Sequence, residues 1–129
     1  MNHLGIDFGL KNIGLSLAEG PLASPLTQNF YTSDEKMFQF LLQLIKEHEI
    51  EVLVIGISEG KLATKIKIFG TRLSQLTNLP VHYQDETLSS YEAKIKMIQA
   101  HAPQKKRRLD HKIAATIILQ SYLDDLTNH

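Results

Sequence analysis

The sequence predicts an α/β domain built on a five-stranded mixed sheet flanked by helices. Two patterns and a size point there. The first thirty residues carry three short strand-like segments joined by turns rich in Gly and Pro. From Ser33 onward, helical periodicities alternate with short apolar runs. Tightly joined strands pair antiparallel, whereas strands separated by a helix join through parallel crossovers, so the combined sheet is mixed. A length of 129 residues, 43% of them hydrophobic, suits one core and a single domain over residues 1–129.

Leu4, Ile6 and Phe8 alternate with His3, Gly5, Asp7 and Gly9, the pattern of a strand with one apolar face. A carboxylate in mid-strand is disfavoured by propensity, and a glycine stands two places to either side of Asp7. One reading is a charge in a bare trough, where a metal ion or a phosphate comes close to the backbone. The other is an Asp that ends a short strand and turns the chain through Gly9 into a hairpin. This segment taken alone leaves both readings open. Gly9-Leu10-Lys11-Asn12 leads into a second strand, Ile13 to Ala18, and Glu19-Gly20-Pro21 forms the next turn. A third strand spans about Ala23 to Tyr31, where Pro25 predicts an edge position or a bulge.

Ser33, followed by Asp34 and Glu35, predicts a capped helix start with acidic residues in the first turn. Met37, Phe38, Leu41, Leu42, Leu44 and Ile45 form its apolar stripe, which runs to about His48. Val52 to Ile55, ending in Gly56, reads as a strand buried on both faces. A second helix spans roughly Lys61 to Leu76, and Gly70 inside it costs about 1 kcal/mol in propensity, which predicts close packing at that point. Leu79 to Gln84 is a fifth strand. Ser89-Ser90-Tyr91-Glu92 has the spacing of a capping box and predicts a helix that ends before Pro103. The last helix begins near Leu109 and carries Ala114, Ala115, Ile117 and Ile118.

The chain has no cysteine, which excludes a disulfide framework and thiolate chemistry. A metal would be held by oxygen or imidazole, and acidic ligands favour Mg²⁺ or Mn²⁺. No apolar run reaches membrane-spanning length and no basic-then-apolar leader opens the chain, so the expectation is a soluble, cytoplasmic protein without a membrane partner. The formal net charge of zero argues weakly against indiscriminate binding of polyanions. Lys105, Lys106, Arg107 and Arg108 nevertheless form a compact basic block, which is either a solvated loop or a phosphate-binding patch.

Parallel strands expose their carboxyl ends on one edge, where open α/β sheets bind ligands. Asp7 lies near the end of the first strand and Asp85-Glu86 directly after the fifth, so Asp7 and Glu86 are placed to face one another. Asp110 and His111 open the last helix, where the helix dipole favours a carboxylate. Carboxylates gathered from separate segments repel each other unless a cation compensates them, and a divalent ion would suit phosphodiester hydrolysis. Taken singly, each of these residues also reads as an ordinary turn or helix-start residue.

Four segments then carry a resemblance: Gly5-Ile6-Asp7-Phe8-Gly9-Leu10-Lys11-Asn12-Ile13-Gly14, Val54-Ile55-Gly56, Asp85-Glu86-Thr87-Leu88-Ser89-Ser90, and Ala114 through Leu123. In this order they resemble the YqgF (RuvX) family of Holliday-junction-resolvase-like nucleases. The resemblance implies a ribonuclease-H-like fold whose acidic cluster binds Mg²⁺ or Mn²⁺ and cuts a phosphodiester, in 5′-end maturation of pre-16S ribosomal RNA. It implies carboxylate ligands at Asp7 and Glu86, phosphate contacts from Lys11 and Lys105 to Arg108, and a nucleic-acid partner, an rRNA precursor or branched DNA. The expected assembly is a monomer or a homodimer.

The chain departs from the family pattern at several places. The family's last motif has an Asp three places before the paired alanines, and here that place is His111, with Asp110 one residue earlier. Either His111 serves as an imidazole ligand, or Asp110 reaches in from the neighbouring face, or the third ligand is lost. Thr87 stands where an arginine is usual, Asn12 where a basic residue is common, and the Gly56–Gly60 loop is short and lacks a proline. Two rival readings follow. An actin- or hexokinase-like ATPase shares the Asp-x-Gly opening but needs a second domain. A non-catalytic nucleic-acid-binding module would keep the fold without the chemistry.

Overall fold

The computed structural model describes residues 1–57, 60–85 and 111–127. In chain order these form β1 (His3–Phe8), β2 (Asn12–Ala18), β3 (Ser24–Phe30), α1 (Asp34–Glu47), β4 (Val52–Ile57), α2 (Lys61–Thr77), β5 (Val81–Asp85) and α3 (His111–Thr127). The sheet has the order β3-β2-β1-β4-β5. β1 pairs antiparallel with β2, and β2 with β3, while β1–β4 and β4–β5 are parallel. This is the mixed sheet expected from tight hairpins followed by helix crossovers. The capping-box helix predicted after Ser89 lies outside the described residues.

Pro25 accounts for its own position. It sits on the edge strand β3 opposite Ser16, and the register of the β2–β3 pairing shifts between Leu15 and Ser16. A missing N–H is tolerated there because no further strand needs it. Ser33 caps α1 as its sequence predicts, its hydroxyl oxygen accepting the Lys36 amide at 3.2 Å. α2 ends through Asn78, a non-glycine residue in the left-handed region, whose amide donates to the Ser74 carbonyl at 2.8 Å. Gly70 is tightly packed, since a Cβ there would stand 2.3 Å from the Tyr83 hydroxyl.

Side-chain alternation divides the interior in two. On one face of the sheet, Leu4, Ile6, Leu53 and Ile55 pack with Met37, Phe38, Leu41 and Ile45 of α1 and Ile66, Phe69 and Leu73 of α2. On the other face, Val52, Val54 and Ala18 pack with Ile118, Leu119 and Leu123 of α3. Val52 through Gly56 are buried on both sides, as their unbroken apolar run predicts. Among the described residues the result is a three-layer sandwich with α1 and α2 on one face and α3 on the other.

Candidate active site at the carboxyl edge of the sheet

The face of β1 that carries His3, Gly5 and Asp7 is not a bare trough along its length, because α3 lies in it. Gly5 pairs with Ser16 across the β1–β2 ladder and Asp7 with Gly14, which gives a floor of small residues. A Cβ on Gly5 would fall 2.7 Å from Leu119 Cβ and 2.9 Å from the Ala115 carbonyl oxygen. One on Gly14 would fall 2.1 Å from both the carbonyl carbon and the oxygen of His111. Ala114 and Ala115 present no bulk in return, both being fully buried. The buried Ser16 hydroxyl donates to the Ala115 carbonyl at 2.8 Å and fixes the helix on this floor. Further along α3, Gln120 accepts from the Ala23 amide at 2.9 Å and donates to the Pro21 carbonyl at 3.0 Å.

This docking places the first residue of α3 beside the end of β1. His111 Nδ1 stands 2.9 Å from Asp7 Oδ2, with side-chain exposures of 32% and 18%. Burial pushes the Asp7 carboxyl above the usual carboxylate range, and the hydrogen bond and charge of His111 oppose that rise. With the carboxylate ionised, Nδ1–H donates to it, which leaves Nε2 as the ring nitrogen outside this bond. Neither Asp7 Oδ1 nor His111 Nε2 has a hydrogen-bond partner among the described residues.

The turn beside Asp7 is held firmly. The Gly9 amide donates to the Asn12 carbonyl at 2.9 Å, the Tyr31 amide to the Lys11 carbonyl at 3.1 Å, and the Tyr31 hydroxyl to the Gly9 carbonyl. Lys11 sits exposed on this turn. Glu86, Asp110 and the block Lys105, Lys106, Arg107 and Arg108 lie outside the described residues. Of the expected constellation, the structure therefore brings together Asp7 and His111 and sets Lys11 in the adjoining hairpin. Ser16 and Gly14, which hold His111 in place, are site residues that the sequence reading does not single out. Their signal is the run of small residues at matching positions of a predicted hairpin.

A family profile described as "RuvX: Holliday junction resolvase" matches residues 1–125. The chain belongs to the RuvX family. A RuvX relative from Crocosphaera subtropica is 38% identical over 134 residues, covering 96% of this chain and 93% of its own length. Another, from Streptococcus equi subsp. zooepidemicus, is 33% identical and covers 96% and 98%. Both carry the name "Putative pre-16S rRNA nuclease". Among solved structures, Thermus thermophilus RuvC in complex with a Holliday junction substrate superposes with a TM-score of 0.64 at 18% identity, covering 98% of this chain and 96% of RuvC. The fowlpox virus resolvase, bound to Holliday junction DNA, gives 0.62 at 15% identity over 98% of this chain and 99% of its own. At these identities the likeness is one of fold, and the fold is ribonuclease-H-like.

The donor chemistry at Asp7 suits a divalent cation. A carboxylate whose ionisation burial opposes gains most from a positive ion at its second oxygen. A carboxylate and an imidazole together match Mn²⁺ at least as well as Mg²⁺. Two donors leave the remaining coordination positions to water, substrate oxygens or further side chains. Among the described residues, no group of three or more His, Asp or Glu side chains converges as a metal site.

Proposed function

We propose that this RuvX-family chain is a divalent-metal-dependent endonuclease that hydrolyses phosphodiester bonds in structured RNA, acting in 5′-end maturation of pre-16S rRNA. The observation that carries the proposal is the Asp7–His111 pair, 2.9 Å apart, at the carboxyl edge of a ribonuclease-H-like sheet. The names of the curated relatives support the choice of RNA.

Asp7 would be the central metal ligand, since Oδ2 accepts from His111 and Oδ1 has no partner among the described residues. Glu86 supplies a second carboxylate, and the third position belongs to His111 or Asp110. When bound, the ion lowers the pKa of coordinated water and steadies charge on the phosphate. Where Asp110 fills the third position, His111 is left to do separate work. Its Nδ1 pairs with Asp7 Oδ2 and orients the carboxylate, and its Nε2 is left as the general-base atom. Lys11, one hairpin turn from Asp7, and the block Lys105 to Arg108 bind phosphates, positioning the strand without reading its sequence. A small soluble nuclease of this kind acts in the cytoplasm.

A second reading, cleavage of branched DNA, is favoured by the description of the matched family as a Holliday junction resolvase. One assay separates the readings. Purified protein is incubated with a pre-16S rRNA 5′ fragment and with a four-way DNA junction, in Mn²⁺ and in EDTA. RNA cut only with metal is the expected result, and preferential cutting of the junction would replace RNA by DNA as substrate. Binding of either nucleic acid without cleavage would leave a non-catalytic module.

A further inference from the structure

The edge that carries Asp7 on one face of the sheet carries a cleft on the other. Phe8 follows Asp7 directly and, by alternation, points to the opposite side. Its ring stacks on Phe69 with centroids 4.4 Å apart, and Phe69 stacks in turn on Phe38 at 5.6 Å. Over this aromatic floor opens a cleft of about 310 Å³ between the β1–β2 turn, the start of α1 and the outer face of α2. Phe8 and Tyr31 stand in its wall at partial exposure, and Leu10 and Ile68 at its rim are 61% and 64% exposed. Lys65 and Arg72 line it from α2, and the Arg72 guanidinium lies 4.8 Å over the Phe38 ring.

We propose that this cleft is a subsite for single-stranded RNA, in which one unstacked nucleobase enters against Phe8 and Tyr31 while Lys65 and Arg72 take the flanking phosphates. The inference rests on the nuclease reading above and adds to it a second binding surface on the far face of the sheet. Four features favour this occupant. First, aromatic walls beside paired cations are the combination that holds a single strand, stacking bases and neutralising backbone. Second, Lys65 and Arg72 are two helical turns apart, roughly 10 Å along one face of α2, so they bracket the cleft. Third, Asp34 lines the cleft and its carboxylate accepts hydrogen bonds, which suits a base's exocyclic amine or a ribose 2′-hydroxyl, the latter present in RNA alone. Fourth, a cleft of about 310 Å³, at the lower bound for small-ligand pockets, has room for a nucleobase. Because Asp7 and Phe8 are consecutive, a strand crossing the end of β1 presents a phosphate to Asp7 and an adjacent base to the cleft.

The test measures binding without cleavage. Asp7→Asn protein in EDTA is titrated with a fluorescent single-stranded decaribonucleotide by anisotropy across a salt series. In that background Lys65→Ala with Arg72→Ala is expected to weaken binding tenfold or more, and to flatten the salt slope by about 0.7 for each phosphate no longer neutralised. Arg72→Lys, which keeps the charge, should recover most of the electrostatic part. Replacing single bases by abasic residues along the oligonucleotide should reveal one position where affinity falls roughly fivefold or more. Unchanged affinity in the double variant, or an abasic scan without such a position, would overturn the proposal. Equal binding of the matching deoxyoligonucleotide would overturn its assignment to RNA. Absence of RNA cleavage by the wild-type chain would sink the nuclease reading instead, and leaves these binding results equally decisive.

Discussion

Gly14 is the residue whose substitution should reveal most about how the site is built. A Cβ added there stands 2.1 Å from the His111 carbonyl carbon and oxygen, where real Cβ contacts essentially never fall below 3.0 Å. The obstructing atoms are backbone, so a rotamer change cannot relieve them, and the start of α3 has to lift from β2 by about 0.9 Å. A lift of that size lengthens the 2.9 Å contact between His111 Nδ1 and Asp7 Oδ2 to at most roughly 3.8 Å, beyond hydrogen-bond reach at that limit. Overpacking of this kind costs about 1–3 kcal/mol, and the upper part of that range applies to a clash with main chain. For a domain of this size, Gly14→Ala should lower Tm by roughly 5–12 °C. Displacing a catalytic constellation by about 1 Å can cost on the order of a hundredfold in rate, so kcat/KM should fall by that order at temperatures where the variant is folded.

Two companion variants make the result interpretable. Gly20→Ala meets nothing within 4 Å and should stay within about 0.5 kcal/mol of wild type. Gly5→Ala strikes Ser16 Oγ at 2.2 Å and Leu119 Cβ at 2.7 Å, further along the helix from His111. It should therefore destabilise as Gly14→Ala does while costing less activity per degree of Tm. Thermal unfolding by circular dichroism and cleavage well below Tm supply both readings. A Gly14→Ala protein with unchanged Tm and full activity would refute the claim that helix docking on this floor positions His111.

The other predictions concern the pair itself and its support. Asp7→Asn should abolish metal-dependent cleavage while leaving the fold intact, and full activity would remove Asp7 from the mechanism. The same variant tests the sign of the Asp7 shift. A carboxyl held above its ordinary 3.8 stabilises the fold below that pH, and the contribution is lost as pH rises through the folded-state value. The Tm advantage of Asp7→Asn over wild type, measured without metal, should therefore grow as pH rises from about 3.8; a shrinking advantage contradicts the assignment. His111→Ala should damage cleavage more than Asp110→Ala, and the reverse ranking would hand the third position to Asp110. Ser16→Ala removes a buried hydrogen bond and should cost about 1 kcal/mol by urea unfolding, with no measurable change contradicting its anchoring role.

Much of this fold is legible in the sequence because local rules act locally. The alternation of Leu4, Ile6 and Phe8, the cap at Ser33 and the unbroken apolar run of Val52 to Ile55 each follow from neighbours a few residues apart, and each stands in the structure as read. Pro25 likewise carries its edge position in its own chemistry. What resists reading is the second neighbour of the β1 trough. Gly5, two places before Asp7, looks like room for a ligand, and the structure fills that room with α3, whose backbone also covers Gly14. Nothing local distinguishes a glycine that admits a phosphate from one that admits a helix, since both need only the missing Cβ. The Asp7–His111 hydrogen bond is hidden for the same reason. Periodicity assigns each residue a face of its own element, but not which of the faces presented by α3 meets the sheet.

The two members of that pair are separated by 104 residues of chain. A polypeptide emerging from the ribosome N-terminus first presents Asp7 well before His111, which cannot be seated until α3 has been made and has docked on Gly5, Gly14 and Ser16. The hairpin, the parallel strands and the first core precede that event in synthesis. Under the proposed function, competence to cut nucleic acid therefore waits on the docking of α3. An incomplete copy, stalled amid the cell's own RNA, would carry the carboxylate without the partner that orients it.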